Sequence, residues 1–247
     1  MDRLIYTAMT GAKMLTQRHE TVSHNLANVS TNGFRAELTA FRAVPVSGPG
    51  ADTRVASVET TTGADFSQGP ITQTGNPLDA AINGRGFFAV QTADGEEAYT
   101  RDGAFKVGDD GTLQTRNGLA VVGEGGPLQI PPGQTVLIGR DGTVSAAPDG
   151  QGRQNVTQIG RLKLVNPDEA DVVRASDGLF RTRSGDQAVA DPTVQVAANS
   201  LEGSNVNAVE ALIGMIAVAR QFEMQMKLLS SADQNSRTAN QLLSVGS

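Results

Sequence analysis

A chain of 247 residues with a net charge of −6 has room for one large domain or two modest ones, and it lacks the basic footprint of a nucleic-acid binder. It contains no cysteine, which excludes disulfides, thiolate metal sites and thiol nucleophiles, and no tryptophan, with aromatics at 4%, which leaves little to line a ligand pocket. The acidity is uneven: residues 1–35 carry four basic and two acidic side chains, residues 206–247 three of each, and the middle 13 basic and 21 acidic, the pattern of a solvated body between near-neutral ends.

In the first segment, about Asp2 to Ser30, small or apolar residues recur at Ile5, Ala8, Ala12, Leu15, Val22, Leu26 and Val29, with His19 in the same track. Spacings that alternate three and four predict a helix with a coiled-coil period. Asn32-Gly33 ends it, because both residues tolerate positive φ. The opening Met-Asp-Arg-Leu-Ile-Tyr lacks the basic region and apolar run of a secretory leader, so any export is expected to need no cleaved leader. From Ala36 to about Asn76 the chain turns to Thr, Ser, Gly, Pro and Val without a helical period, and Val44 to Ala51 reads as an extended linker or loop.

Residues 77–200 carry the β signal. Asp-Gly pairs begin at Asp94, Asp102, Asp110, Asp141, Asp149 and Asp177, and Asn83-Gly84 and Asn117-Gly118 add two Asn-Gly pairs. These dipeptides favour the primed turns that close hairpins. Candidate strands between them are Phe87–Thr92, Ala98–Arg101, Ala104–Val107, Leu113–Thr115, Ala120–Val122, Thr135–Ile138 and Val156–Val165. Gly111-Thr112-Leu113 and Gly142-Thr143-Val144 read as one local device used twice.

The last segment predicts a helix from Asn205 or Asn207 to about Leu243, with Ser204 and Asn205 as natural caps and no internal proline. Its stripe runs Leu212, Met215, Ala219, Phe222, Met226, Leu229, Ala232, Ala239 and Leu243. Each terminal stripe needs a partner, and one chain's own ends supply only part of it. Nowhere do the roughly 20 consecutive apolar residues of a bilayer span occur, so direct membrane insertion is not expected.

Catalytic and metal-binding patterns fail on context. His19 and His24 stand five apart on different helix faces and cannot act as an i, i+4 metal pair. The Gly84-Arg85-Gly86 fragment leads into a strand, not out of one into a helix, so it is not a dinucleotide loop. Asp109-Asp110-Gly111 lacks the remaining ligands of a calcium loop, and nothing selects a pair of carboxylates as an active site. Asn28-Val29-Ser30 and Asn155-Val156-Thr157 match a glycosylation pattern that is common by chance. No enzyme, metal or cofactor is expected.

Four segments together resemble one family. Leu26-Ala27-Asn28-Val29-Ser30-Thr31-Asn32-Gly33-Phe34-Arg35-Ala36 is similar to the block that closes the first helix of bacterial flagellar rod and hook proteins. Thr74 to Phe88 (TGNPLDAAINGRGFF) is similar to their central block, Tyr99-Thr100-Arg101-Asp102-Gly103-Ala104-Phe105 to a third, and Ser200-Leu201-Glu202-Gly203-Ser204-Asn205-Val206 to the one that opens the last helix. The resemblance covers nearly the whole chain in the family's order. It implies a structural axial subunit of the basal-body rod, most like a proximal one, with a distal-rod or hook-type subunit as the alternative. An oligomeric fibre or adhesin is the alternative from another class. Implied partners are further copies of the chain, other proximal and distal rod subunits, and the flagellar type III export apparatus; the implied location is the basal body in the periplasm.

The expected fold class is α+β: long N- and C-terminal helices paired as a coiled-coil-like layer, with a central, mainly antiparallel β domain. The expected divisions are a helical assembly domain at 1–30 and 205–247, an extended linker at 31–75 and a β domain at 76–204. Assembly residues are expected to be Ile5, Ala8, Ala12, Leu15, Val22, Leu26, Leu212, Met215, Phe222, Met226 and Leu229. Asn28, Gly33, Phe34, Gly203 and Asn205 are expected to set the geometry of the two junctions.

Overall fold

The computed structural model describes residues 2–45, 55–148 and 156–245. The chain divides into two compact units: Met1–Ala27, Glu37–Gly63 and Asn207–Ser247 form one, Asn28–Ala36 and Ala64–Val206 the other. Residues 46–51 of the segment read as a linker, the Asp149-Gly150 pair and Asn155 lie outside the described residues.

The first unit holds α1 (Asp2–Ala27), α2 (Ala208–Val245) and a two-stranded sheet of β1 (Glu37–Pro45) and β2 (Val55–Ala64). Glu37, Thr39 and Phe41 are half-buried on β1 while Leu38, Ala40 and Arg42 are exposed, the two-residue period of a ribbon with one covered face. That face meets α1 through polar groups. Asn25 brackets the Glu37 backbone, donating to its carbonyl at 3.0 Å and accepting from its N–H at 2.7 Å. The Thr21 and Thr39 hydroxyls lie 2.6 Å apart, and His24 Nδ1 is 2.9 Å from Glu37 Oε2.

The helical part of the expected fold class needs correction. Among the described residues there are two α-helices, of 26 and 38 residues, and the stripe expected on the second is not the face that is covered. Among the side chains described on these helices Ala8, Leu15 and Val218 are the buried apolar ones, and His19, placed by the heptad track inside a seam, is exposed. The better covered face of α2 runs Ala211, Met215, Val218, Gln225 and Leu229, so the inward positions are 211, 218 and 225 where the expected stripe had 212, 219 and 226. At the contact Gln225 Nε2 donates to the Ala8 carbonyl at 2.9 Å and lies over Gly11, a polar side chain on backbone instead of an apolar knob in a hole. The cause is compositional. Val209, Leu212, Ile213, Ile216, Phe222, Met224, Met226 and Leu228 are all exposed, so α2 is apolar on most faces and periodicity does not single one out.

The second unit is β-structure, and all of its described strand pairs are antiparallel. Its strands are β3 (Ile71–Gln73), β4 (Ala80–Asn83), β5 (Phe87–Gln91), β6 (Glu97–Thr100), β7 (Phe105–Val107), β8 (Leu113–Thr115), β9 (Ala120–Gly123), β10 (Gly126–Pro127), β11 (Gln134–Ile138), β12 (Thr143–Pro148), β13 (Thr157–Arg161), β14 (Leu164–Val165), β15 (Val172–Arg174), β16 (Phe180–Thr182), β17 (Gln195–Ala198) and β18 (Ser200–Glu202). The largest sheet runs β15-β16-β6-β5-β9-β8-β7, with β10 on β9 and β14 on β5. Strands β11-β12-β13 form a second sheet, and β17-β4 and β18-β3 are two-stranded. Each of the seven expected strand segments contains a strand, Val156–Val165 holding both β13 and β14.

Strand β5 sits between two cores, which is why Phe87-Phe88-Ala89-Val90 is continuously apolar instead of alternating. Phe88 packs edge-on to Phe105 at 5.2 Å in a core with Ile82, Leu113, Val121, Val144 and Leu162. Phe87 and Ala89 face a second core with Tyr99, Val172 and Phe180, closed by Phe66.

The hairpins repeat one device more often than the two copies read from sequence. In Thr92–Glu96, Gly108–Thr112, Thr115–Leu119, Gly139–Thr143 and Ala175–Leu179 the first residue's N–H donates to the fifth residue's carbonyl, and the fourth residue, always glycine, donates back to the first. Those glycines have φ between +79° and +85°. This is a three-residue loop closed by a left-handed glycine, not the two-residue primed turn expected from Asp-Gly and Asn-Gly. Asp102-Gly103 is no turn of this kind: Gly103 does not have positive φ, and a Cβ there would overlap the Ala80 carbonyl.

Candidate functional site

Where the chain leaves the first unit after α1, Gly33 takes φ +66°, and a Cβ there would collide with the backbone of Arg101 and Asp102. Glycine is therefore required twice over, by conformation and by space. Its N–H donates to the Glu202 carbonyl at 2.8 Å, and the Asn205 N–H donates to the Phe34 carbonyl at 3.3 Å. Asn205 uses its whole amide: Oδ1 accepts from Ala36 N at 2.7 Å, and Nδ2 donates to the carbonyls of Asp65 at 2.8 Å and Ser67 at 3.1 Å. The start of α2 is instead capped by Asn207, whose Oδ1 accepts from Val209 N at 3.0 Å. Asn28 accepts from the Thr31 hydroxyl at 3.1 Å, closing the turn after α1. Gly203 lacks positive φ, and a Cβ on it would make ordinary contact with Pro70 at 3.4 Å.

Under this crossing lies a buried charge cluster. Glu202 Oε1 accepts from Arg35 Nη2 at 2.6 Å and from the Gly69 N–H at 2.9 Å. Arg101 Nε lies 3.0 Å from Glu202 Oε2, at ion-pair distance but misaligned for a hydrogen bond. Arg101 also donates to the Gly86 carbonyl at 2.8 Å and the Gly84 carbonyl at 2.7 Å. Arg35, Arg101 and Glu202 are at most 3% exposed. Burial, only partly offset by Glu202, pulls the Arg101 guanidinium down to about 10. Above the cluster the Arg174 guanidinium stacks 4.8 Å from the Phe34 ring and 5.0 Å from that of Phe180, and donates to the Arg35 carbonyl at 2.6 Å.

Ala8, Leu15 and Val218 are buried on the helices, Ala12, Val22, Leu26, Met215 and Leu229 are half-buried, and Leu212, Phe222 and Met226 are exposed; the side chain of Ile5 lies outside the described residues. Leu15 and Phe222 meet at a groove of about 330 Å³ with Thr16, His19, Val218, Ala219 and Glu223. Among the described residues no group of three or more His, Cys, Asp or Glu is placed to hold a metal ion, and no helix is long and apolar enough to cross a membrane.

Three family models match the chain: a flagella basal body rod protein model over residues 5–35, a flagellar hook protein FlgE/F/G D1 domain model over 81–146, and a flagellar basal body rod FlgEFG protein C-terminal model over 197–242. The chain is 48% identical to the flagellar basal-body rod protein FlgF of Escherichia coli strain K12, over 99% of this chain and 100% of that one. The chain belongs to the flagellar basal-body rod protein family. It is likewise 47% identical to FlgF of Salmonella typhimurium over 99% of this chain and 100% of that one. Against the rod protein FlgG of Buchnera aphidicola from Schizaphis graminum the identity is 32%, over 96% of this chain and 98% of that one. As a member of the family, the chain is a structural subunit of the flagellar basal body, made to assemble with other rod subunits.

Family membership gives the junction its meaning. The first block contributes Gly33 and Arg35, the second the Gly84 and Gly86 carbonyls, the third Arg101 and the fourth Glu202, so the four ordered blocks converge on one buried cluster. Arg35, Arg101 and Glu202 were not among the residues expected to matter. A single charged residue in a strand or after a turn normally reads as a solvated one; the available signal was only that each sits inside a quoted block beside glycine or an aromatic residue.

Proposed function

We propose that this chain is an axial subunit of the proximal rod, joining head to tail with copies of itself and with other rod proteins across the periplasm to carry motor torque to the hook and filament. The observation that carries this reading is the surface of α2, on which Val209, Leu212, Ile213, Ile216, Phe222, Met224, Met226 and Leu228 are exposed along one helix. So much apolar side-chain surface on one element is the mark of a surface that other molecules cover. A heterologous contact of this kind can propagate as an open helical array, and its stiffness comes from many packed apolar contacts. In this reading residues 1–30 and 205–247 serve assembly and 76–204 adds lateral contacts. The likeness to FlgF of two organisms, at 48% and 47% identity over the full length of each, supports the proximal position. The subunit is delivered by the flagellar type III export apparatus, which requires no cleaved leader, and works without substrate or cofactor.

The test is Phe222→Asp. Phe222 belongs to the helical unit, so the β body of the substituted chain is expected to stay folded by circular dichroism. Burying the new carboxylate between subunits has no compensation, so rod growth and motility should be lost. Normal swimming by cells carrying the substitution would refute the proposal.

A further inference from the structure

Beside the buried cluster is a small, partly open cavity of about 20 Å³, lined by Arg35, Arg101, Phe66 and Phe87, with Arg85 and Glu169 also on its wall. A volume of ~10–15 Å³ is enough for one water-sized particle.

The charges around this cavity do not balance. Arg35 and Arg101 are two buried guanidiniums, and Glu202 is the one carboxylate that pairs with them. At the rim Arg85 and Glu169 pair with each other at 3.0 Å and add nothing net. Arg174, donating to the Arg35 carbonyl, brings another positive charge nearby. Arg35 Nη2 is engaged by Glu202, but Arg35 Nη1 is buried and has no hydrogen-bond partner among the described residues. A buried cation with a spare donor calls for an anion, because a water molecule would satisfy the donor and leave the surplus charge.

We propose that this cavity is a halide site, in which one chloride-sized monovalent anion accepts from Arg35 Nη1 and neutralises the second guanidinium of the junction. It ties the first and third sequence blocks together by charge, through Arg35 and Arg101, and it stands independently of the assembly reading.

The experiment is thermal unfolding of the full chain at fixed ionic strength, with sodium chloride or bromide exchanged for sodium gluconate. At a halide concentration roughly ten times the dissociation constant the midpoint should rise by about 3–6 °C over gluconate. Arg35→Gln removes both the surplus charge and the spare donor, and it should abolish that difference. Because this variant lowers stability by itself, bromide anomalous diffraction from the unsubstituted chain reads the site directly, with a peak expected in the cavity. Equal midpoints in all three salts, a halide effect undiminished in Arg35→Gln, or a bromide-soaked crystal without that peak would each overturn the proposal.

Discussion

Replacing Glu202 by glutamine isolates the charge that holds the junction together. The substitution keeps shape and volume but exchanges one acceptor oxygen for an amide that only donates. In the native cluster the carboxylate accepts from Arg35 Nη2 at 2.6 Å, from Gly69 N at 2.9 Å and, more weakly, from Arg101 Nη2 at 3.4 Å, with Arg101 Nε 3.0 Å from its second oxygen. Glu202 is 1% exposed, so water cannot take over these roles. Removing one partner of a buried ion pair costs about 3–5 kcal/mol, mostly through the charge left behind. For a chain of this size each kcal/mol moves the melting midpoint by about 2–4 °C, so Glu202→Gln should melt roughly 6–20 °C lower. Urea titration followed by circular dichroism should show the same loss with an unchanged slope. Replacing all three residues by Met, Met and Leu should recover part of it, but not all, because Arg101 also satisfies the Gly84 and Gly86 carbonyls. A loss below about 1 kcal/mol in Glu202→Gln would refute the idea that this cluster organises the four blocks.

Two further outcomes follow from local geometry. The Asp110 and Asp141 carboxyls are held below the usual carboxylate range, first by the Thr112 and Thr143 hydroxyls at 2.7 and 2.6 Å and then by the same residues' N–H groups. A lowered folded-state pKa means stability that is present above the unfolded value near 3.9 and is lost as pH falls through the folded one. Asp110→Asn combined with Asp141→Asn should therefore flatten the acid limb of a stability–pH curve below about pH 4 and leave its shape near neutrality unchanged. Gly33→Ala should cost more than Gly118→Ala, although the two have φ of +66° and +85°, because a Cβ at Gly33 meets the Arg101 backbone and one at Gly118 meets nothing within 4 Å. The difference, measured by denaturant titration, should exceed about 1 kcal/mol; equal losses would remove the close approach from the argument.

What was legible in the sequence was local. A seven-residue rhythm marks α1, and Asp-Gly or Asn-Gly pairs at fixed offsets mark hairpins, because helical period and positive φ are properties of a few consecutive residues. The four signature blocks were equally legible as strings, and Gly33 and Asn205 lie inside the first and the last of them. Tertiary structure alone decided the rest. No rule of neighbours could join Arg35 to Glu202 across 167 positions, or Gly69 to the same carboxylate across 133. Nor could periodicity choose the inward face of α2, since apolar residues occupy most of its sides and a glutamine, Gln225, sits at the contact. Burial turned three ordinary charged residues into the centre of the junction, and burial depends on the whole fold, because it is set by what the rest of the chain places around a side chain.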